Sequence, residues 1–121
     1  MNIKLGKWTL ELVDLKNEEF KYSNLYDRKL HSFDFTIQVK GVFLEEFKET
    51  LEKSSNGGVY RLDENNNIIS EYKVCSKSYM YSGNNTDENT IYNYTLKFEE
   101  VVRVTLKSLK ISNLEVVPYE Y

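Results

Sequence analysis

His31-Ser32-Phe33-Asp34-Phe35-Thr36-Ile37-Gln38-Val39-Lys40 alternates in polarity along its length, with Phe33, Phe35, Ile37 and Val39 in one phase and Asp34, Thr36, Gln38 and Lys40 in the other. A period of two is the signature of a strand buried on one face only. Gly41 closes the run, and the period then changes to about 3.6, with Phe43, Phe47 and Leu51 four apart and Leu44 beside them. This predicts a short amphipathic helix over about residues 43–53 that lies on a sheet through its two phenylalanines. Its opposite face carries Glu45, Glu46, Lys48, Glu49, Glu52 and Lys53, and Ser54-Ser55-Asn56-Gly57-Gly58 supplies the glycine expected just beyond a helix end.

On the N-terminal side, Trp8, Leu10 and Leu12 alternate with Thr9 and Glu11, which predicts a strand over 8–13. Ile3 and Leu5 have the opposite parity, so Gly6-Lys7 is read as a bulge or tight turn. Asp14 to Glu19 reads as a loop, Phe20 and Tyr22 as the start of a strand, and Ser23 to Lys29 as irregular. On the C-terminal side, Val59–Leu62 and Ile68–Met80 read as strands joined by Asp63-Glu64-Asn65-Asn66-Asn67, residue types that tolerate left-handed backbone angles. A longer hairpin follows, with a polar tip over Ser82–Asn89 and a return over Thr90–Phe98. A turn centred near Asn85-Thr86 would set Met80 opposite Tyr92, Ser78 opposite Tyr94, Ser76 opposite Leu96 and Val74 opposite Phe98. Val102, Val104 and Leu106 continue in phase towards Ile111, and Leu114–Val117 precedes Pro118, which should end pairing or lie on an edge.

The expected architecture is therefore α+β. It is a mainly antiparallel sheet of six to eight strands, one short helix, and a long hairpin over about 68–98, in a single domain spanning 1–121. Composition agrees, because alanine is absent while tyrosine occurs 10 times and the chain carries 6 phenylalanines, a balance that favours pleated structure over helix. The excess of Lys, Asn, Ile and Tyr matches AT-rich codons and suggests a low-GC bacterium, its phages or its mobile elements. No run approaches a membrane span, and the N-terminal residues lack the apolar region of a signal peptide, so a bacterial cytoplasm is the expected compartment.

Chemistry is sparse. With 19 acidic against 16 basic side chains the net charge is −3, which disfavours nucleic acid, since that binding needs clustered lysine and arginine. One histidine and one cysteine exclude the common metal cages, and neither metal nor cofactor is expected. His31 has Ser32 and Asp34 beside it, but on a strand they point to the opposite face, so His31 reads as a strand-end histidine satisfied by water. Cys75 lies between Lys73 and Lys77 with no partner base and reads as an ordinary strand thiol. Asp63-x-Asn65-x-Asn67 imitates a calcium loop, yet the glycine and the bidentate glutamate that such a loop needs are replaced by Ile68 and Val74. No glycine-rich phosphate cradle opens a helix.

The unusual feature is the tyrosine content of the long hairpin. By parity, Tyr92 and Tyr94 share the face of Leu96 and Phe98 and belong to the core. Tyr79, Tyr81 and Ile91 would lie on the other face beside Lys77 and Lys97 as a recognition patch. With Glu45, Glu49 and Glu52 on the helix, these residues are the expected partner-binding set. The expected function is non-enzymatic binding of a protein partner by a small acidic inhibitor or immunity-type protein of a phage or mobile element, masking a basic site. The order strand, short helix and long hairpin over about residues 33–101 also loosely resembles domains of phage tail tubes and related tail proteins. That resemblance implies a structural subunit that assembles with its own copies, in a virion. Sequestration of a small anion is a remoter alternative and would require several of Arg28, Arg61, Arg103 and the strand lysines to converge on one cavity.

Overall fold

The computed structural model describes residues 1–82 and 88–103, with positions 81 and 82 described by their backbone only. Seven strands form one antiparallel sheet: β1 (Asn2–Leu5), β2 (Trp8–Glu11), β3 (Lys16–Ser23), β4 (Arg28–Lys40), β5 (Val59–Leu62), β6 (Ile68–Ser82) and β7 (Ile91–Val101), in the spatial order β2-β1-β5-β6-β7-β4-β3. Between β4 and β5 a 3-10 turn over Gly41–Phe43 leads into the helix α1 (Leu44–Lys53). The fold is the expected α+β arrangement, with the short helix and the long β6–β7 hairpin in place. Among the described residues no helix is long and apolar enough to cross a membrane. The expected strand from Val101 towards Ile111 stops at Val101, and its remainder from residue 104, with 114–117 and Pro118, lies outside the described residues, as does the hairpin tip over 83–87.

The parity conflict near the N-terminus resolves as a two-residue hairpin. Gly6 at φ +61° lets the chain reverse, so that Leu5 pairs with Trp8 and Ile3 with Leu10 on one face. The segment expected as a loop over 14–19 is instead mostly strand, because β3 begins at Lys16. Its pattern is obscured by a bulge between Lys16 and Glu19, with Asn17 held at φ +51°. Only Asn24–Asp27 of the supposedly irregular 23–29 is a turn, with Arg28 and Lys29 already in β4. There Asp27 sits at φ +52° and accepts a hydrogen bond from the Tyr22 hydroxyl.

The sheet is curled. Its two edges, β2 and β3, are joined by residues 12–15 alone. Six inter-strand steps of about 4.8 Å would hold the edges of a flat sheet about 29 Å apart. The five residue steps from Glu11 to Lys16 span at most about 18 Å. Closure turns one face inward, and Ile3, Leu5, Val59, Leu96 and Phe98 on it have no exposed surface at all. Leu12 and Leu15, in the connection, pack on this core.

Curling leaves a seam. β3 accompanies β4 only from Arg28 to Asp34, so residues 36–40 of β4 are paired with β7 alone among the described residues. Cover of the inward stripe changes at that point: Phe33 is buried, whereas Phe35 and Ile37 are half-buried. The helix partly fills the gap with Phe47, whose ring lies 5.8 Å from Trp8 of β2 and 5.0 Å from Tyr94 of β7. The expectation that two phenylalanines anchor the helix is corrected. Phe43 belongs to the 3-10 turn and is 46% exposed, and the buried helix residues are Phe47 and Leu51.

Candidate functional site

The site is made by one extra residue. The β6–β7 register begins as expected, with Val74 opposite Phe98, but a bulge at Cys75 sets Ser76 opposite Lys97, Lys77 opposite Leu96 and Tyr79 opposite Tyr94. A one-residue slip exchanges the two faces of every residue beyond it. Lys77 and Tyr79 thus lie on the inward face with Leu96 and Tyr94, where sequence parity placed Tyr79 on the outer one. The expected pairs Met80–Tyr92, Ser78–Tyr94 and Ser76–Leu96 are all displaced by one. Ile91 and Lys97 stay on the outer face, Lys97 in register with Asp34 and Ser76, and are separated from Tyr79 by the sheet. Tyr81 stands opposite Tyr92 in the ladder, and the expectation for its side chain lies outside the described residues.

The bulge directs β6 towards the charged face of α1. A groove of about 760 Å³ runs between them, lined by Glu45, Glu46, Lys48, Glu49, Leu51 and Glu52 from the helix and Lys77, Tyr79 and Tyr94 from the hairpin. Five of the eight residues expected to bind a partner, Lys77, Tyr79, Glu45, Glu49 and Glu52, therefore share one concavity. Sequence reasoning assigned Tyr94 to the core alone, and only the bulge, which no residue pattern announces, makes it part of this lining as well.

The tyrosines form the floor. Tyr79, 51% exposed, stacks on Tyr94 with ring centroids 5.1 Å apart and planes 27° from parallel. Tyr94 is only 2% exposed, with Phe47 edge-on against its other surroundings. Burial, then the neighbouring Tyr79, Tyr92 and Glu45, push the Tyr94 phenol above its ordinary value, so it stays protonated through the physiological range. On the rim, Lys48 lies 3.7 Å from Glu45 and Lys7 2.6 Å from Glu46, both as exposed pairs.

His31 is not the water-satisfied strand end expected from sequence. It is 5% exposed, and both ring nitrogens are engaged, Nδ1 at 2.7 Å from the Tyr72 hydroxyl and Nε2 at 2.8 Å from a Glu18 carboxylate oxygen. A proton on Nε2 donating to Glu18, with Nδ1 accepting from Tyr72, satisfies all three groups. Phe20 stacks on the imidazole at 4.4 Å, and Tyr72 is 1% exposed. The arrangement ties edge strand β3 to β4 and β6.

Cys75, at the bulge, has its thiol pushed up to about 11 by desolvation first and then by the Glu99 carboxylate, which together outweigh Lys73 and Lys97. It is protonated at neutral pH, when a nucleophile would need to be thiolate. Asp63 accepts from the backbone N–H groups of Asn65 and Asn67, at 2.8 and 2.9 Å, and these bonds hold its carboxyl below the usual range, so the acidic loop is a capped turn. Among the described residues no group of three or more His, Cys, Asp or Glu is placed to hold a metal ion. Two of the three arginines are paired with carboxylates, Arg28 with Glu100 at 2.5 Å and Arg103 with Glu71 at 2.8 Å. The chain matches no protein-family model, no curated protein and no solved structure at a significant level.

Proposed function

We propose that this chain is a non-enzymatic protein-binding domain, of small acidic inhibitor or immunity type from a phage or mobile element of a low-GC bacterium, and that the groove between α1 and the hairpin holds a basic part of its partner. The observation that carries the reading is the joining of Glu45, Glu49 and Glu52 with Lys77 and Tyr79 around one concavity. Four glutamates against two lysines give the lining a negative field, which steers a basic partner and speeds its association. Stiff tyrosine rings supply contact area at low entropic cost. Capture of a partner from the source cell, identified by mass spectrometry, tests this. The partner should present a basic surface and be lost with the E45K/E49K/E52K protein. Retention of the same partner by that protein would refute the reading.

One observation favours a second reading, a self-assembling subunit of phage-tail type. β2 and residues 36–40 of β4 flank a seam where backbone has a strand on one side only among the described residues, and unpaired edges are templates for another chain. Size-exclusion chromatography with light scattering separates the two: rings or polymers support the subunit, a monomer or dimer the inhibitor. Anion sequestration has least support, since Arg28 and Arg103 are already spent on carboxylates.

A further inference from the structure

We propose that Asn56 is a site of intrinsic covalent modification, its side-chain amide being lost as ammonia through attack by the peptide nitrogen of Gly57, with the Arg103 guanidinium stabilising the charge that this attack requires.

Asn56-Gly57 is the only Asn-Gly pair in the chain. Ring closure brings the backbone nitrogen of the following residue against the asparagine Cγ, and glycine, with no Cβ, offers the least obstruction. The fold keeps that approach open. Asn56 is exposed in the connection between α1 and β5, outside any regular element. Gly57 stands at φ +140°, and its N–H reaches the Ser54 carbonyl only at 3.4 Å, beyond the ordinary hydrogen-bond range. The Asp63 turn gives a contrast within the same molecule. There the nitrogen that would attack Asn66 belongs to Asn67, and its N–H is held by the Asp63 carboxylate at 2.9 Å.

Arg103 supplies what the sequence pair lacks. The attacking nitrogen must lose its proton, and the negative charge of the resulting amidate is shared with the Asn56 carbonyl oxygen through peptide resonance. Arg103 Nη2 donates to that oxygen at 3.2 Å, and the same guanidinium donates to Glu71 through Nε at 3.0 Å and Nη2 at 2.8 Å. A cationic donor already aimed at an oxygen where charge develops lowers the barrier without reorganisation. Glu71 offsets part of the positive charge but fixes the guanidinium in place. A Cβ on Gly57 would collide with both groups, so the pair lies directly against the reacting peptide.

In the reaction, hydroxide from solvent takes the Gly57 N–H proton and the nitrogen bonds to Asn56 Cγ. The Cγ–Nδ2 bond then breaks, and Nδ2 leaves as ammonia after taking a proton from water. Water opens the five-membered imide at either carbonyl, giving aspartate or isoaspartate. Each event adds a carboxylate to the junction held by Glu71 and Arg103, in a chain that is already acidic.

The test follows the full chain by peptide-mapping mass spectrometry during incubation near neutral pH. The peptide containing residue 56 should gain one mass unit as a mixture of aspartate and isoaspartate, while Asn66 stays unmodified and N56Q shows no such gain. R103Q should slow the reaction by about tenfold, and R103K should recover part of the rate. In denaturant the parent and R103Q should react equally. The sign separates charge stabilisation from a structural role, because removing a clamp that merely restrained the turn would speed ring closure. No modification at Asn56, earlier modification at Asn66, or an R103Q rate equal to or above that of the parent would each overturn the proposal.

Discussion

At the scale of single residues, two groups that sequence reasoning treated as ordinary are fixed by their surroundings. Cys75 is exposed at the surface, yet its thiol lies near 11, so it should react slowly with a disulfide reagent at pH 8 and about as fast as a free thiol once the chain is unfolded. A native rate equal to the unfolded one would contradict this. His31→Ala removes a partner of both Glu18 and Tyr72, leaving a phenol that is 1% exposed with one hydrogen bond fewer, beside Ser70 and Arg61. The cost should be about 1–3 kcal/mol in chemical denaturation. Hydrogen exchange should locate it, with amides of β3 exchanging faster and those of β7 keeping their protection. His31 was legible as a strand residue because the alternation around it is regular. Its partners were not, because Glu18 lies 13 positions away behind a bulge and Tyr72 lies 41 away.

At the scale of elements, the helix and the hairpin each depend on one structural device. α1 is held by Phe47, 3% exposed and in contact with Trp8 and Tyr94, so Phe47→Ala should cost about 3–5 kcal/mol and shift Trp8 fluorescence. Phe43→Ala, at a half-exposed site, should cost much less. The hairpin depends on the Cys75 bulge. Deleting Cys75 should restore the register that simple alternation predicts, moving Lys77 and Tyr79 to the outer face. Cross-ring nuclear Overhauser contacts between Tyr79 and Tyr94 should then vanish. Persistence of those contacts would show that the ladder absorbs the deletion elsewhere. Helix and strands were legible because their periods, 3.6 and 2, are written in side chains, whereas the bulge is a backbone event at a residue whose neighbours fit either register.

At the scale of the whole molecule, long-range charge pairs join segments far apart in the sequence. Glu71 of β6 accepts from the guanidinium of Arg103 and from the Gly58 amide, and Arg103 foremost holds its carboxyl below the ordinary glutamate range. A carboxylate whose value is lowered by folding stabilises the native state above its unfolded value, and that contribution disappears as pH falls through the lowered native one. Acid unfolding of the parent should therefore be steeper than that of Glu71→Gln below about pH 4.5. Identical acid limbs would show that the pair contributes nothing. Gly57 belongs to the same junction: at φ +140° it leaves room that a Cβ would fill against Arg103 and Glu71.

The sequence by itself determined the kinds of elements, their order and the α+β class, because alternation and helical spacing are local and a strand or helix must show its buried face to the core. It also determined which charges line α1. Tertiary structure alone decided the curling of the sheet, set by the reach of residues 12–15 between its edges. It likewise decided which face carries Tyr79, because a single unpaired residue inverts every side chain after it and leaves no trace in the pattern of polarity.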